Sequence, residues 1–183
     1  MKETVYQAFS ETCQRFSDRP ALMHKAQGRF HSITFRELAG MIDEVAAGLV
    51  ERGVRPGSRV GIYSYNRPEW VIADMATIKL GGVVVPVYHT LPEDSIRYIL
   101  NDAEVTLLFV ETHELLATLT KVVSEIPTLK DIITIFEHPG EIRAGKARLE
   151  LGRKELLSFT ALRQAGARAI AANPELLKPH PVM

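Results

Sequence analysis

Four short apolar runs, each followed by a stretch with helical spacing, limit what this chain can fold into more than any other feature. The runs are RVGIYS from Arg59, VVVPVY from Val83, VTLLFV from Val105 and DIITIF from Asp131. They begin roughly every two dozen residues, which is the rhythm of strand–helix–strand units. All are rich in Val and Ile and nearly free of polar residues, as strands buried on both faces of a parallel sheet must be. The expected fold class is therefore α/β, a parallel sheet with flanking helices delivered by right-handed crossovers. Pro86 would delete a ladder hydrogen bond inside the second run, so it marks an edge position, a bulge or a bend near the strand end.

The segments around these runs carry their own signals. Residues 2–16 read as a helix with Val5, Ala8, Phe9, Thr12, Cys13 and Phe16 on one stripe. PALMHK and RFHSIT read as a hairpin around AQG. Thr34 and Glu37 match a capping box for a helix carrying Leu38, Met41, Ile42, Val45, Ala46 and Leu49, with Gly53 as its terminator. Asn66 with Glu69, Pro92 and Thr112 open the three helices between the runs, and Thr112 is expected to start one continuous helix, THELLATLTKVVSEI. After Phe136 the chain becomes charged and turn-rich, then forms one more helix opened by Ser158 or Thr160. The expected organisation is a single unit over residues 1–183: a lead-in at 1–58, a four-strand core at 59–136, and a loop, helix and tail at 137–183.

Composition narrows the partners. Lys plus Arg equals Asp plus Glu at 22 each, so no net field draws nucleic acid to the chain. The single cysteine, Cys13, has no partner for an internal disulfide, and the N-terminus lacks the apolar core of a secretion signal. No apolar run approaches a transmembrane length. The expectation is a cytoplasmic protein with no transmembrane segment, peripheral membrane contact left open.

Ligands of such sheets bind at the carboxyl ends of the strands. That rule selects three joints: Ser64-Tyr65-Asn66, Tyr88-His89-Thr90-Leu91 and Val110-Glu111-Thr112. Helix capping alone also accounts for Asn66, Thr90 and Thr112. His89 is the candidate acid–base side chain of these joints, but no Ser, Cys or carboxylate motif beside it makes a catalytic arrangement. The segment GEIRAGKA from Gly140 fits G-x-x-x-x-G-K yet ends in Ala, where a phosphate loop needs the Ser or Thr hydroxyl that holds magnesium. There is no G-x-G-x-x-G, no H-E-x-x-H and no cysteine pair, so neither a dinucleotide fingerprint nor a metal-ligand spacing is present, and no metal-ligating residue is named.

One longer pattern goes further. TFRELAGMIDEVAAGL, GVRPGSRVGIYSYNRPEW and GGVVVPVYHTLPEDSIRYILND follow one another in order between Ile33 and Glu111. Together they resemble the N-terminal region of adenylate-forming, AMP-binding acyl-CoA synthetases, closest to the long-chain fatty acid–CoA ligase branch. The resemblance implies ATP-dependent activation of a fatty acid to an acyl-adenylate, then transfer to coenzyme A, with magnesium neutralising the phosphates. The family's Ser/Thr/Gly-rich phosphate loop, its adenine and ribose motifs and its C-terminal domain with the catalytic lysine do not occur in this sequence. The chain ends about where that phosphate loop would begin. The resemblance therefore implies an N-terminal fragment, inactive alone, with no catalytic residue of its own and no tight binding of ATP, magnesium or CoA. Tyr65, Asn66, Tyr88, His89, Thr90 and Leu91 would line one wall of a site completed by the remainder of the ligase chain. Fatty acid would be the whole enzyme's substrate, and a homo-oligomer is expected. Two alternatives are a free-standing nucleotide-binding α/β protein and a non-enzymatic oligomerisation module.

Overall fold

The computed structural model describes residues 4–136 and 154–177. Helix α1 (Val5–Arg15) leads into the strands β1 (Pro20–Ala26) and β2 (Arg29–Thr34), which pair antiparallel. Then come α2 (Phe35–Glu51), β3 (Arg59–Tyr63), α3 (Pro68–Lys79), β4 (Val83–Val87), α4 (Glu93–Asp102), β5 (Leu107–Val110) and α5 (His113–Thr120). A short 3-10 turn (Val123–Glu125), β6 (Asp131–Thr134), β7 (Glu155–Ser158) and α6 (Phe159–Ala172) complete the described chain. The GEIRAGKA segment lies outside the described residues.

Strands β3 to β7 form one parallel sheet in the order β4-β3-β5-β6-β7. The α/β class is as expected, with one strand more than the four apolar runs. β4 is an edge, which is where Pro86 can sit with least loss.

Strand alternation sorts the core into two layers. Val60, Ile62, Leu107, Phe109 and Ile133 point to one face and meet α2, α3 and α6 through Leu38, Ile42, Val45, Leu49, Ile72 and Leu162. Tyr63, Leu108, Val110 and Ile132 point to the other face and meet α4, α5 and the 3-10 turn through Ile96, Leu100, Leu115, Leu119 and Val123. Every residue of β5 and β6 is buried: β5 is wholly apolar, and in β6 the buried Asp131 is paired by Arg52 and Thr134 donates to the Leu157 carbonyl.

The helix boundaries follow local chemistry. Thr4 and Gln7 make a capping box on α1, and Thr34 and Glu37 make the expected one on α2. Thr112 caps α5 through the Leu115 N–H, and Ser158 caps α6 through the Ala161 N–H. Two expected caps are displaced. Asn66 is not the cap of α3: Pro68 fixes the first helical φ, so Arg67 takes the N-cap position with no side-chain cap bond. Thr90 does not cap α4, because Pro92, in extended conformation, holds that position. Glu93 and Asp94 in the first turn of α4 offset the missing cap by facing the positive end of the helix dipole. The expected long helix after Thr112 breaks at Thr120, and the 3-10 turn follows.

Helices α2 and α6 cross at backbone contact. A Cβ at Gly166 would lie 1.8 Å from the Glu44 carbonyl oxygen, and one at Gly48 would lie 2.6 Å from the Leu162 carbonyl oxygen. Arg163 pairs with Glu44 at 2.6 Å beside this crossing.

Candidate functional site

In a parallel sheet the ligand crevice opens where consecutive crossovers leave a strand in opposite directions. Here the chain leaves β3 for β4 on one side, then returns past β3 to β5 on the other. The switch point is therefore between β3 and β5. Its rim is the loop after β3 (Ser64, Tyr65, Asn66), the end of β5 (Glu111, Thr112) and the loop after β4 (Tyr88, His89, Thr90, Leu91).

A carboxylate of the chain fills this crevice. Glu111 Oε2 accepts from the Ser64 hydroxyl at 2.9 Å and from the Tyr65 backbone N–H at 2.5 Å. Its Oε1 accepts from Arg67 Nη1 at 3.2 Å, and Arg67 Nε donates to Glu69 Oε2 at 2.7 Å. The Glu111 side chain is only 13% exposed. With both oxygens engaged, by three donors in all, Glu111 is a clasp between two loops.

Burial raises the Glu69 carboxyl, but the Arg67 hydrogen bond, a backbone hydrogen bond and the Arg67 and His24 charges together hold the group below the ordinary glutamate range. Beneath the rim, burial pushes the Tyr63 hydroxyl up, with the Glu93 and Tyr65 charges adding to the effect and a hydrogen bond to Thr118 opposing it. Tyr63 stays protonated at neutral pH.

Of the six residues singled out on the rim, the fold brings two together. The Tyr65 and His89 rings stack with centroids 3.6 Å apart and planes at 29°. This contact joins the β3 and β4 loops as Glu111 joins the β3 and β5 loops. Tyr88 is 73% exposed, and Asn66 and Thr90 are also exposed. Leu91 packs against the apolar layer formed by α4 and α5. Sequence reasoning named the joint containing Glu111 but gave that residue no role. The hint was a carboxylate directly after an all-apolar strand, at the switch point.

Two donors on the rim are engaged within the chain. The Tyr65 N–H and the Arg67 guanidinium, the donors an anion would need, are already held by Glu111 and Glu69. Among the described residues no group of three or more His, Cys, Asp or Glu is arranged to hold a metal ion. No helix among them is long and apolar enough to cross a membrane.

Similar proteins fix the lineage. The long-chain-fatty-acid–CoA ligase FadD15 of Mycobacterium bovis is 35% identical over 108 residues, 59% of this chain and 18% of that protein. Human long-chain-fatty-acid–CoA ligase 1 is 29% identical over 171 residues, 89% of this chain and 24% of that protein. The crystal structure of the anthranilate CoA ligase AuaEII in complex with anthranoyl-AMP superposes with a TM-score of 0.72 at 25% identity, over 87% of this chain and 27% of that one. The chain thus spans about a fifth to a quarter of the length of the curated relatives it matches. A family model described as AMP-binding enzyme matches residues 9–175, taking in the sheet, the rim loops and both helix layers, and the chain belongs to that family.

Proposed function

We propose that this chain is the N-terminal part of a long-chain fatty acid–CoA ligase and has no turnover by itself. The whole enzyme would join a fatty acid to ATP, release pyrophosphate, and pass the acyl group from the adenylate to the thiol of CoA. One observation carries the reading: long-chain-fatty-acid–CoA ligases as distant as a mycobacterium and a human match 59% and 89% of this chain. The Glu111 clasp supports the second half, since a carboxylate at the switch point repels phosphate and occupies the donors that would bind it.

In this reading the chain supplies scaffold. Tyr65, Asn66, Tyr88, His89, Thr90 and Leu91 form one wall of a site that the rest of the ligase completes, and ATP, magnesium and CoA bind to that assembly. The neighbouring anthranilate CoA ligase shares this fold, so the fold alone does not name the acid.

The test is palmitate-dependent exchange of pyrophosphate into ATP. The chain is assayed alone and then fused in frame to the downstream remainder of a related long-chain ligase. Exchange by the fusion only is the expected result. Exchange by the chain alone would refute its inactivity, and exchange with benzoate but not palmitate would refute the fatty acid.

A further inference from the structure

We propose that His24 and His31, which face each other across the β1–β2 hairpin, form a binding site for a divalent transition-metal ion of the zinc, copper and nickel group. The two residues are direct partners in the register, one from each strand. The strands are joined through Gln27 and Gly28, both at positive φ, a geometry that closes an antiparallel pair tightly and fixes its register. Side chains directly opposite in such a pair leave the sheet on the same face. His24 shares that face with Leu22 and His31 with Ile33, and both of these pack onto the layer of α2 and α3. The two imidazoles therefore stand side by side on a fixed platform, His24 half-buried and His31 exposed.

Three observations point to a cation between them. First, the ring centroids are 5.5 Å apart with planes at 27°. Two imidazoles on one tetrahedral ion, each bound at about 2 Å, have ring centres about 5 Å apart, so a small side-chain adjustment suffices for chelation. Second, His24 Nδ1 is buried and has no hydrogen-bond partner. A nitrogen shut away from water without a partner is costly, and a bond to a metal removes that cost. Third, Glu69 at the start of α3 is held in its charged form and lies within electrostatic reach of His24, so a positive charge placed at the pair is met by a carboxylate. Arg29, the other cation of this face, is exposed beside the turn and lies across from Ala26. Imidazole nitrogens select zinc, copper and nickel over magnesium and calcium, which take oxygen ligands. Two protein nitrogens make an open site, and water completes the coordination shell. Because the ion bridges two strands, binding it stabilises the folded chain.

The experiment is calorimetric titration of the metal-free full chain with zinc chloride in mildly alkaline buffer. Saturable binding of one ion per chain is the expected result, with a rise in the thermal unfolding midpoint. His24→Gln and His31→Gln should each weaken binding by about tenfold or more, and His113→Gln should leave it unchanged. His31 is exposed, so its variant reports on the metal without disturbing the core. Electron paramagnetic resonance with copper gives a second readout: two imidazole nitrogens should couple to the ion in the parent and one in His31→Gln. No saturable zinc binding by the parent overturns the proposal. So does unchanged binding by either the His24 or the His31 variant, which would mean an adventitious ion only, or fewer than two coupled nitrogens in the parent. None of these readouts depends on ligase turnover, so failure here and failure of the functional reading are separable.

Discussion

The Tyr65 backbone N–H donates to Glu111 Oε2 at 2.5 Å, and this bond spans the switch point of the sheet, from the loop after β3 to the end of β5. Where a doubly wound sheet usually offers its ligand crevice, this chain places one of its own carboxylates. The consequence is a rim fixed in shape before any partner arrives, because the same loop is pinned from its other side by the Tyr65–His89 stack.

Removing that carboxylate should loosen the rim. Glu111→Ala leaves the Tyr65 N–H and one arm of Arg67 without their acceptor, while the Ser64 hydroxyl keeps the Tyr65 carbonyl at 2.8 Å. The expected loss is about 2 kcal/mol, with a smaller loss for Glu111→Gln, which keeps one acceptor oxygen. Urea unfolding measures both. An Ala variant as stable as the parent would mean that water replaces the clasp without cost.

The crossing of α2 and α6 tolerates no side chain. A methyl at Gly166 would meet the Glu44 carbonyl oxygen at 1.8 Å, and that atom is backbone, so no rotamer relieves the clash. Gly166→Ala should therefore separate the helices and cost about 3 kcal/mol or more, although alanine is the better helix former. Thermal unfolding of the variant gives the answer. An unchanged or higher midpoint would show that the two helices slide apart freely.

The Arg67–Glu69 pair predicts a pH dependence. Burial raises the Glu69 carboxyl, but the Arg67 hydrogen bond and charge, with a backbone hydrogen bond and His24, together bring it below its ordinary value of 4.5. A folded value below the unfolded one means that the charged form favours folding. That contribution is full above about pH 4.5 and is lost as the pH falls through the lower folded value. Replacing Arg67 with Gln leaves burial less opposed, so the Glu69 titration should move up. Carbon NMR of the Glu69 carboxyl in both chains reads this directly, and a titration that does not move would remove Arg67 as its cause.

Much of the fold is legible in the residues, and the illegible parts have physical causes. The runs at β3, β5 and β6 announce themselves because burial on both faces favours apolar residues, and β4 does so by its run of valines although it is an edge. β7 escapes notice because it is an edge strand of one exposed and three half-buried residues, ELLS, following charged sequence. What makes it a strand is tertiary. The Glu155 N–H donates to the Lys130 carbonyl, and Lys154 Nζ donates to the carbonyls of Ile126 and Leu129. At the candidate site the three joints are readable from strand ends. The Tyr65–His89 stack and the Glu111 clasp are not, since each joins loops whose adjacency depends on the strand order. Asn66 and Thr90 look like caps by composition, and the prolines at 68 and 92 decide otherwise.

The last prediction concerns the opposite end of the sheet, where Arg52 at the end of α2 holds the starts of β6 and β7 together. Its Nε donates to Asp131 Oδ1 at 2.8 Å, and its Nη2 contacts both Asp131 and Glu155, the latter at 2.6 Å. The two carboxylates differ in burial: the Asp131 side chain is 10% exposed and that of Glu155 70%. Solvent screens the second contact, so Glu155→Ala should change stability by less than about 1 kcal/mol. Arg52→Ala is different, because it leaves the Asp131 charge buried without a partner, at about 3 kcal/mol. Arg52→Lys keeps the charge but loses the planar fork, and should fall between. The deciding measurement is a double-mutant cycle: Arg52→Ala should cost much less in an Asp131→Asn background than in the parent. Equal costs in the two backgrounds would mean that Arg52 acts through its packing on α2, with no charge of Asp131 to neutralise.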